Sequence, residues 1–276
     1  MFETKYDMLT GEPIKFKSKE QYKGSFYSNR KNLIKHFTQI TEEEIIEITK
    51  QILQSKIESK NIKYAPSTIE CKSFTVPFPS PAFIQSFNID YNEICKSCGL
   101  IPKYQYSDLL KKKCSLPECI VVDTREQEIL PLRNQFKILK LSFGDYAIST
   151  DLNNTLSVEK KTGGDLVSTL SRGFERFCRE LDRANEVNSN ILIVVSEKLS
   201  NMLSFNYLPQ FRWIRRAQPS FIFSRLRSIL QAYPNTQIVF GQNKQEAAQI
   251  TEFALAYSKD LFKYDIQYLY DLKKLL

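Results

Sequence analysis

One histidine, His36, stands in 276 residues. Nuclease sites of the His-metal finger type need several imidazoles and cannot be built from this chain, and His36 lies on a polar stretch that suits a surface position. Any apolar run longer than a few residues is also missing, and the first residues, MFETKYDMLTGEPIKFK, are charged. A secretory signal, a membrane span and a membrane partner are therefore not expected; an intracellular protein, cytoplasmic or nucleoid-associated and not secreted, is. Six cysteines, at 71, 95, 98, 114, 119 and 178, are too irregularly spread for a disulfide framework and are read as reduced thiols. Acid is the scarcer charge: 31 Asp and Glu against 39 Lys and Arg leave a net charge of +8, which favours an anionic partner, nucleic acid first.

Residues 13–40 hold seven Lys or Arg against one Glu, interleaved with Phe16, Tyr22, Phe26, Tyr27 and Phe37. Such a mixture suits a nucleic-acid surface, and equally a solvated face over a small core. At Thr41 a helix is expected, with Thr41 as N-cap, Glu42 to Glu44 in the first turn and Glu44 closing a capping box. Ile45, Ile46, Ile48, Ile52, Leu53 and Ile57 then form a broad apolar face. Ser80-Pro81 and Asp90 each read as helix starts, and Gly99 as a helix end, predicting short helices over 81–87 and 91–98. The string PSPAFIQSFNIDYNEICKSCGL resembles the helix-turn-helix repeats that accompany some phage and homing endonucleases. That resemblance implies a DNA-docking module within about 65–100.

The same cysteines admit a second reading, because Cys95, Cys98, Cys114 and Cys119 form C-x2-C-x15-C-x4-C, a spacing compatible with structural Zn²⁺. It is not the favoured one. Cys95 and Cys98 fall on the apolar side of a plausible helix, where cysteine behaves as a small core residue. The run from Lys111 to Lys113 followed by CSLPEC looks like a connector, which divides the chain into a mainly α-helical, basic region over 1–115 and an α/β domain over 116–276.

The chemistry gathers just past that boundary. Ile120 to Thr124 reads as a buried strand ending in Asp123, with Arg125 and Glu126 beyond it. SFGDYAIS and TLSVEKK flank the turn-rich DLNN and make a hairpin. Folded about residues 151–154, it sets Asp145 nearly opposite Glu159, with Lys161 on the face of Glu159 and Lys160 turned away. Two carboxylates side by side would repel unless a hard divalent cation lay between them. Mg²⁺, or Mn²⁺, meets that need and can activate water for attack on a phosphodiester; Lys161 would orient the water or neutralise the phosphate. Alone, Asp-x13-Glu-x-Lys is also the pattern of surface charge on an ordinary hairpin. A single helix is expected to follow from Gly164 or Asp165, with Leu166, Leu170, Phe174, Phe177, Cys178 and Leu181 on one side. Arg172, Arg176, Arg179 and Arg183 line the other, suited to a phosphate backbone.

DTREQ, GDYAIS, VEKKTGGDL and RFCREL resemble the nuclease domain of the XPF type, most closely its compact phage and bacterial relatives. The resemblance spans about 118–265 and implies a restriction-endonuclease-like PD-(D/E)xK core. It further implies that Asp123, Glu126, Asp145 and Glu159 hold metal, that Lys161 is the catalytic lysine, and that Asp165 supports the site. Lys160 stands where the family usually has arginine, which keeps a cation but loses bidentate contact; with Arg125 it is grouped among DNA-contacting cations. Between Lys198 and Lys244 there are seven basic residues and no acidic one. Arg212, Arg215 and Arg216 there are read as DNA contacts, beside Arg225 and Arg227.

The sequence thus points to a Mg²⁺-dependent DNA endonuclease, with branched or nicked DNA among the substrates to be considered. The rival from another class is a non-catalytic DNA-binding or scaffolding protein on a nuclease-like fold. RNA cleavage and assembly into a homodimer both stay open; ending at Leu276, the sequence is expected to lack the tandem helix-hairpin-helix domain that many XPF-type enzymes use to dimerise and to recognise branches, which argues against structure specificity.

Overall fold

The computed structural model describes residues 41–74, 79–106, 117–204 and 218–275, together with two short antiparallel strands, β1 (Lys5–Tyr6) and β2 (Pro13–Ile14). His36, the basic aromatic stretch over 13–40 beyond β2, Cys114, Arg212, Arg215 and Arg216 lie outside the described residues. The chain divides into two units, Met1–Lys103 and Tyr104–Leu276.

Local capping starts each helix of the first unit. Helix α1 (Glu42–Lys60) opens on Thr41, whose hydroxyl accepts from the Glu44 amide while the Glu44 carboxylate accepts from the Thr41 amide. Its buried face, Ile45, Thr49 and Leu53, is narrower than the isoleucine pattern predicts. Helix α2 (Thr68–Ser73) repeats the device with Ser67 and Glu70, and the buried Glu70 also pairs with Lys103 at 3.2 Å. Ser80 caps α3 (Pro81–Gln85) and Asp90 caps α4 (Tyr91–Ser97), and Gly99 follows at φ +80, a left-handed position that suits glycine. Tyr91 is fully buried and donates its hydroxyl to Pro66 O at 2.8 Å, tying α4 to the segment before α2. Cys95 lies inside this unit, and burial pushes its thiol up to about 12. A core thiol behaves in that way, whereas metal ligation needs the thiolate. Cys119 belongs to the second unit.

The second unit is built on a six-stranded mixed sheet in the order β4-β3-β5-β6-β7-β8. Its strands are β3 (Cys119–Val122), β4 (Gln135–Ile138), β5 (Tyr146–Ala147), β6 (Leu156–Lys161), β7 (Asn190–Val195) and β8 (Thr236–Phe240). Strand β5 runs antiparallel to β3 and β6, whereas β3–β4, β6–β7 and β7–β8 are parallel. All of β8, and all of β7 after its first residue, is buried whatever the parity, so both faces of the sheet are covered there. The cover comes from α5 (Gly163–Ser171), α6 (Phe174–Glu186), α7 (Leu199–Ser204), α8 (Pro219–Ala232), α9 (Lys244–Tyr257) and α10 (Ile266–Asp271). The α/β class is the expected one.

Two boundaries differ from the sequence reading. The second unit begins well ahead of residue 115, because Tyr104 and Tyr106 are buried in it and the Gln105 amide donates to Lys263 O at 2.7 Å. The single helix expected after Lys161 is two helices, parted at Gly173. A Cβ there would lie 3.3 Å from the Thr169 backbone, so the chain turns where only hydrogen fits easily. Arg172 therefore caps α5, while Arg176, Arg179 and Arg183 belong to α6.

Candidate active site

Register in the hairpin sets the centre of the site. Tyr146 on β5 faces Val158 on β6, and one step outward Asp145 stands opposite Glu159. Asp145 is pinned from both sides: its amide donates to Val158 O at 2.8 Å, its carbonyl accepts from the Asp123 amide at 2.9 Å, and its Oδ2 accepts from the Lys160 amide at 2.8 Å. Glu159 is 6% exposed and receives the ammonium of Lys161, two residues along the strand on the same face. Lys161 also stands 5.7 Å from the ring centre of Phe177 on α6.

The electrostatics of this trio are those of a crowded acid pair. Burial, above all, pushes the Asp145 carboxyl up, with Glu126 and Glu180 adding to it against the pull of Lys161. Burial likewise drives Glu159 up, and Asp145 adds to the rise. Burial opposes the charge on Lys161, but Glu159, Asp145 and Glu180 outweigh it and hold its pKa above the ordinary value. A single ammonium thus stands among several negative groups in a dry setting, where like charges are costly.

The other expected metal ligands sit differently. Asp123 is 1% exposed, and its oxygens already accept from the Leu141 amide (2.6 Å), the Arg125 amide (2.8 Å) and Arg125 Nε (2.5 Å). Burial works against its charge, yet those hydrogen bonds prevail and hold its carboxyl below the ordinary value. Glu126 accepts from the Glu128 amide at 2.8 Å and from Lys160 Nζ at 3.1 Å. Lys160, expected among the DNA-contacting cations, is instead buried, its ammonium held by Glu126 and by Glu128 O. The cause is strand alternation, which turns it from the Glu159 face toward the turn after β3. Arg125 keeps much of its side chain in solvent while two of its nitrogens bind Asp123 and Leu141 O. Asp165 closes the capping box of α5 with Thr162, so it shapes the strand-to-helix turn that follows Lys161.

Arg172, Arg176, Arg179 and Arg183 are all exposed, and no salt bridge engages them among the described residues. Arg225, counted in the basic stretch over 198–244, turns inward: its guanidinium donates to Leu170 O and Ser171 O at the end of α5. It lies between the rings of Phe174 and Phe221, 4.4 and 4.6 Å from their centres.

One acid at the site carries no role in the sequence reading. Glu180 on α6 accepts from the Gly144 amide at 3.1 Å, and its charge acts on Asp145, Glu159, Lys161 and Arg125. At about 100° per residue it falls on the border between the buried stripe of Phe177, Leu181 and Ala184 and the arginine stripe. An acid at that border of a basic helix is the signal that could have singled it out.

Among the described residues no three His, Cys, Asp or Glu side chains are arranged to hold a metal ion by themselves. The donor set nevertheless fits a hard cation that takes few protein ligands: Asp145, half-buried, and Glu159, buried, offer two carboxylates, and Mg²⁺ characteristically binds one or two and keeps water on its other positions. No helix among the described residues is long and apolar enough to cross a membrane.

Residues 122–253 match the family described as the ERCC4 domain. No curated protein matches the chain. Among solved structures, the chain is similar to the protein described as XPF from Aeropyrum pernix, at 18% identity and a TM-score of 0.37, over 49% of this chain and 64% of that one. It is also similar to the same protein in complex with DNA, at 20% identity and a TM-score of 0.38, over 50% of this chain and 63% of that one. The chain thus spans less than two thirds of the structures it matches.

Proposed function

We propose that the second unit is a DNA endonuclease that hydrolyses phosphodiester bonds with Mg²⁺ or Mn²⁺. The observation that carries this reading is the half-buried Asp145 set opposite the buried Glu159, with Lys161 beside them, inside the stretch that matches the ERCC4 domain. Asp145 and Glu159 would hold the cation. Glu126, fixed by Lys160, stands close enough for its charge to act on Asp145 and would support it, directly or through water. Asp123, expected at the metal, serves better here as the anchor of Arg125 and of the loop at Leu141, since its oxygens already have protein donors. Bound there, Mg²⁺ would supply Lewis acidity toward a phosphate oxygen and ease deprotonation of water.

Lys161 carries three donors on a charged head, and Glu159 engages one of them. The others can orient a water or meet charge developing on the phosphate. The exposed Arg176, Arg179 and Arg183 continue from the border marked by Glu180, so a duplex held by its phosphates along α6 would pass beside the carboxylates. Arg172 lies at the start of that path, and Arg212, Arg215 and Arg216, outside the described residues, are proposed as further DNA contacts on their charge alone.

The test is a panel of supercoiled plasmid, linear duplex, nicked and branched DNA, and RNA, each with Mg²⁺, Mn²⁺ or EDTA. Metal-dependent nicking or cutting of DNA is expected. Tight DNA binding with no cleavage in either metal would favour the scaffolding alternative, and cleavage confined to RNA would change the substrate class. Sedimentation with and without DNA would decide whether the chain works as a homodimer.

A further inference from the structure

We propose that Glu180 is a positioning residue for Asp145: by accepting the Gly144 amide it locks the turn that presents Asp145 to Glu159. The proposal rests on the nuclease reading above and assigns a role on α6 that the carboxylate motif of the hairpin does not contain.

Gly144 is the residue that Glu180 touches. It sits at φ +70, and a Cβ placed on it would lie 3.0 Å from Ser157 Cβ, 3.1 Å from Ser157 Oγ and 3.3 Å from Val158 O. The backbone is therefore wedged against β6 in a left-handed conformation that a side chain would neither fit nor adopt readily. Gly144 is buried, so its amide needs an acceptor within the protein. Glu180 Oε1 supplies it at 3.1 Å.

Asp145 comes next in the chain. Its own amide, carbonyl and Oδ2 are tied to β6 and β3, which set its height along the hairpin. Glu180 adds a tie from a third element, the helix that bears the arginine stripe. Without it the turn at Gly144 would lose its anchor to α6, and the aim of the Asp145 carboxylate at the place opposite Glu159 would loosen. Small errors of placement at reacting groups are expensive in rate. The helix that would hold the DNA and the carboxylate that would hold the metal are thus joined through one hydrogen bond.

Two variants separate this role from its rivals. Glu180→Ala removes the acceptor, and Glu180→Gln keeps an acceptor oxygen while removing the charge. For Glu180→Ala, losses of about 10- to 100-fold in cleavage and in Mn²⁺ affinity are expected, the range found when a residue that orients a metal ligand is removed. Amide hydrogen exchange in the peptide spanning residues 141–147 should accelerate in the same variant. Glu180→Gln should recover the larger part of all three. Unchanged exchange and unchanged Mn²⁺ affinity in Glu180→Ala would overturn the proposal. Equal losses in both variants with exchange still slow in Glu180→Gln would also overturn it, because the charge and not the hydrogen bond would then be what matters. If the unaltered protein cleaves nothing in any metal, the nuclease reading falls, while Mn²⁺ titration and exchange still decide the role of Glu180.

Discussion

Lys160 and Lys161, neighbours on β6, hold their ammonium groups on opposite faces of the sheet: Lys161 meets Glu159 and Lys160 meets Glu126. A two-residue period turns one sequence feature, a pair of lysines, into two separate contacts. Lys161 stands in the acid pair itself. Lys160 fixes a neighbouring carboxylate from behind.

The two lysines should therefore fail differently. Lys161→Ala is expected to lower cleavage by about 10²- to 10⁴-fold, the usual size of a lost acid-base or charge-stabilising group, with DNA affinity little changed. Lys160→Met should act first on folding. It leaves Glu126 buried without its cation, and breaking a buried pair from one side costs about 3–5 kcal/mol. Urea unfolding of both variants beside a nicking assay would check this; equal stability losses would undo the distinction.

Asp145→Asn should abolish metal-dependent cleavage while leaving DNA binding nearly intact, because the arginine face on α6 is untouched. It should also raise the melting temperature in EDTA, since it removes a carboxyl whose charge burial opposes and which adds to the rise of Glu159. A variant that is dead in catalysis yet more stable without metal is the behaviour of a functional acid, where site chemistry and fold stability pull apart. Undiminished cleavage would remove Asp145 from the mechanism.

Much of this geometry was legible from local rules. The period of a strand and a turn at residues 151–154 suffice to set Asp145 against Glu159, and Thr41 and Asp90 announce their helices through their own capping hydrogen bonds. What escaped depends on contacts between elements. Edge strand β4, from Gln135 to Ile138, is exposed along its length and so shows no alternation to read. Gly173 breaks a helix that periodicity alone would continue, because the constraint is the approach of the Thr169 backbone. Arg225 looks like one more surface cation until the end of α5 and two phenyl rings are brought around it. Glu180 shows itself only once α6 is laid beside Gly144.

Metal should stabilise the fold in a pH-dependent way. Burial, with Glu126 and Glu180 adding to it, raises Asp145 from 3.8 to about 6, and burial, with Asp145 adding to it, raises Glu159 from 4.5 to about 8. A carboxyl with a raised folded pKa binds its proton more tightly in the folded state than in the unfolded one. Its contribution is present at low pH and is lost as pH climbs through the folded values. In EDTA, the melting temperature of Glu159→Gln relative to the unaltered protein should therefore rise between about pH 5 and pH 8. Mg²⁺ should raise the melting temperature of the unaltered protein more at the upper end of that window. The comparison with Glu159→Gln is needed because Asp145 is raised in the same direction, and only the difference between the two proteins isolates Glu159.

The arginine stripe gives the last test. Arg176, Arg179 and Arg183 are exposed on α6, and their neighbours on its other border, Phe177 and Leu181, are buried, so truncating an arginine leaves the packing of the helix in place. If each guanidinium meets a phosphate, each substitution by alanine should weaken binding of any duplex sequence alike. It should also reduce the slope of log affinity against log salt by about 0.9 per contact removed. The triple variant should then lose about three times that slope while its metal-free melting temperature stays near that of the unaltered protein. Arg225→Ala is the contrasting case: it removes donors from Leu170 O and Ser171 O and should lower the melting temperature with little change in slope. Salt titrations by fluorescence anisotropy on one labelled duplex would separate the two, and a slope unaffected by the triple variant would reduce the stripe to an ordinary solvated face.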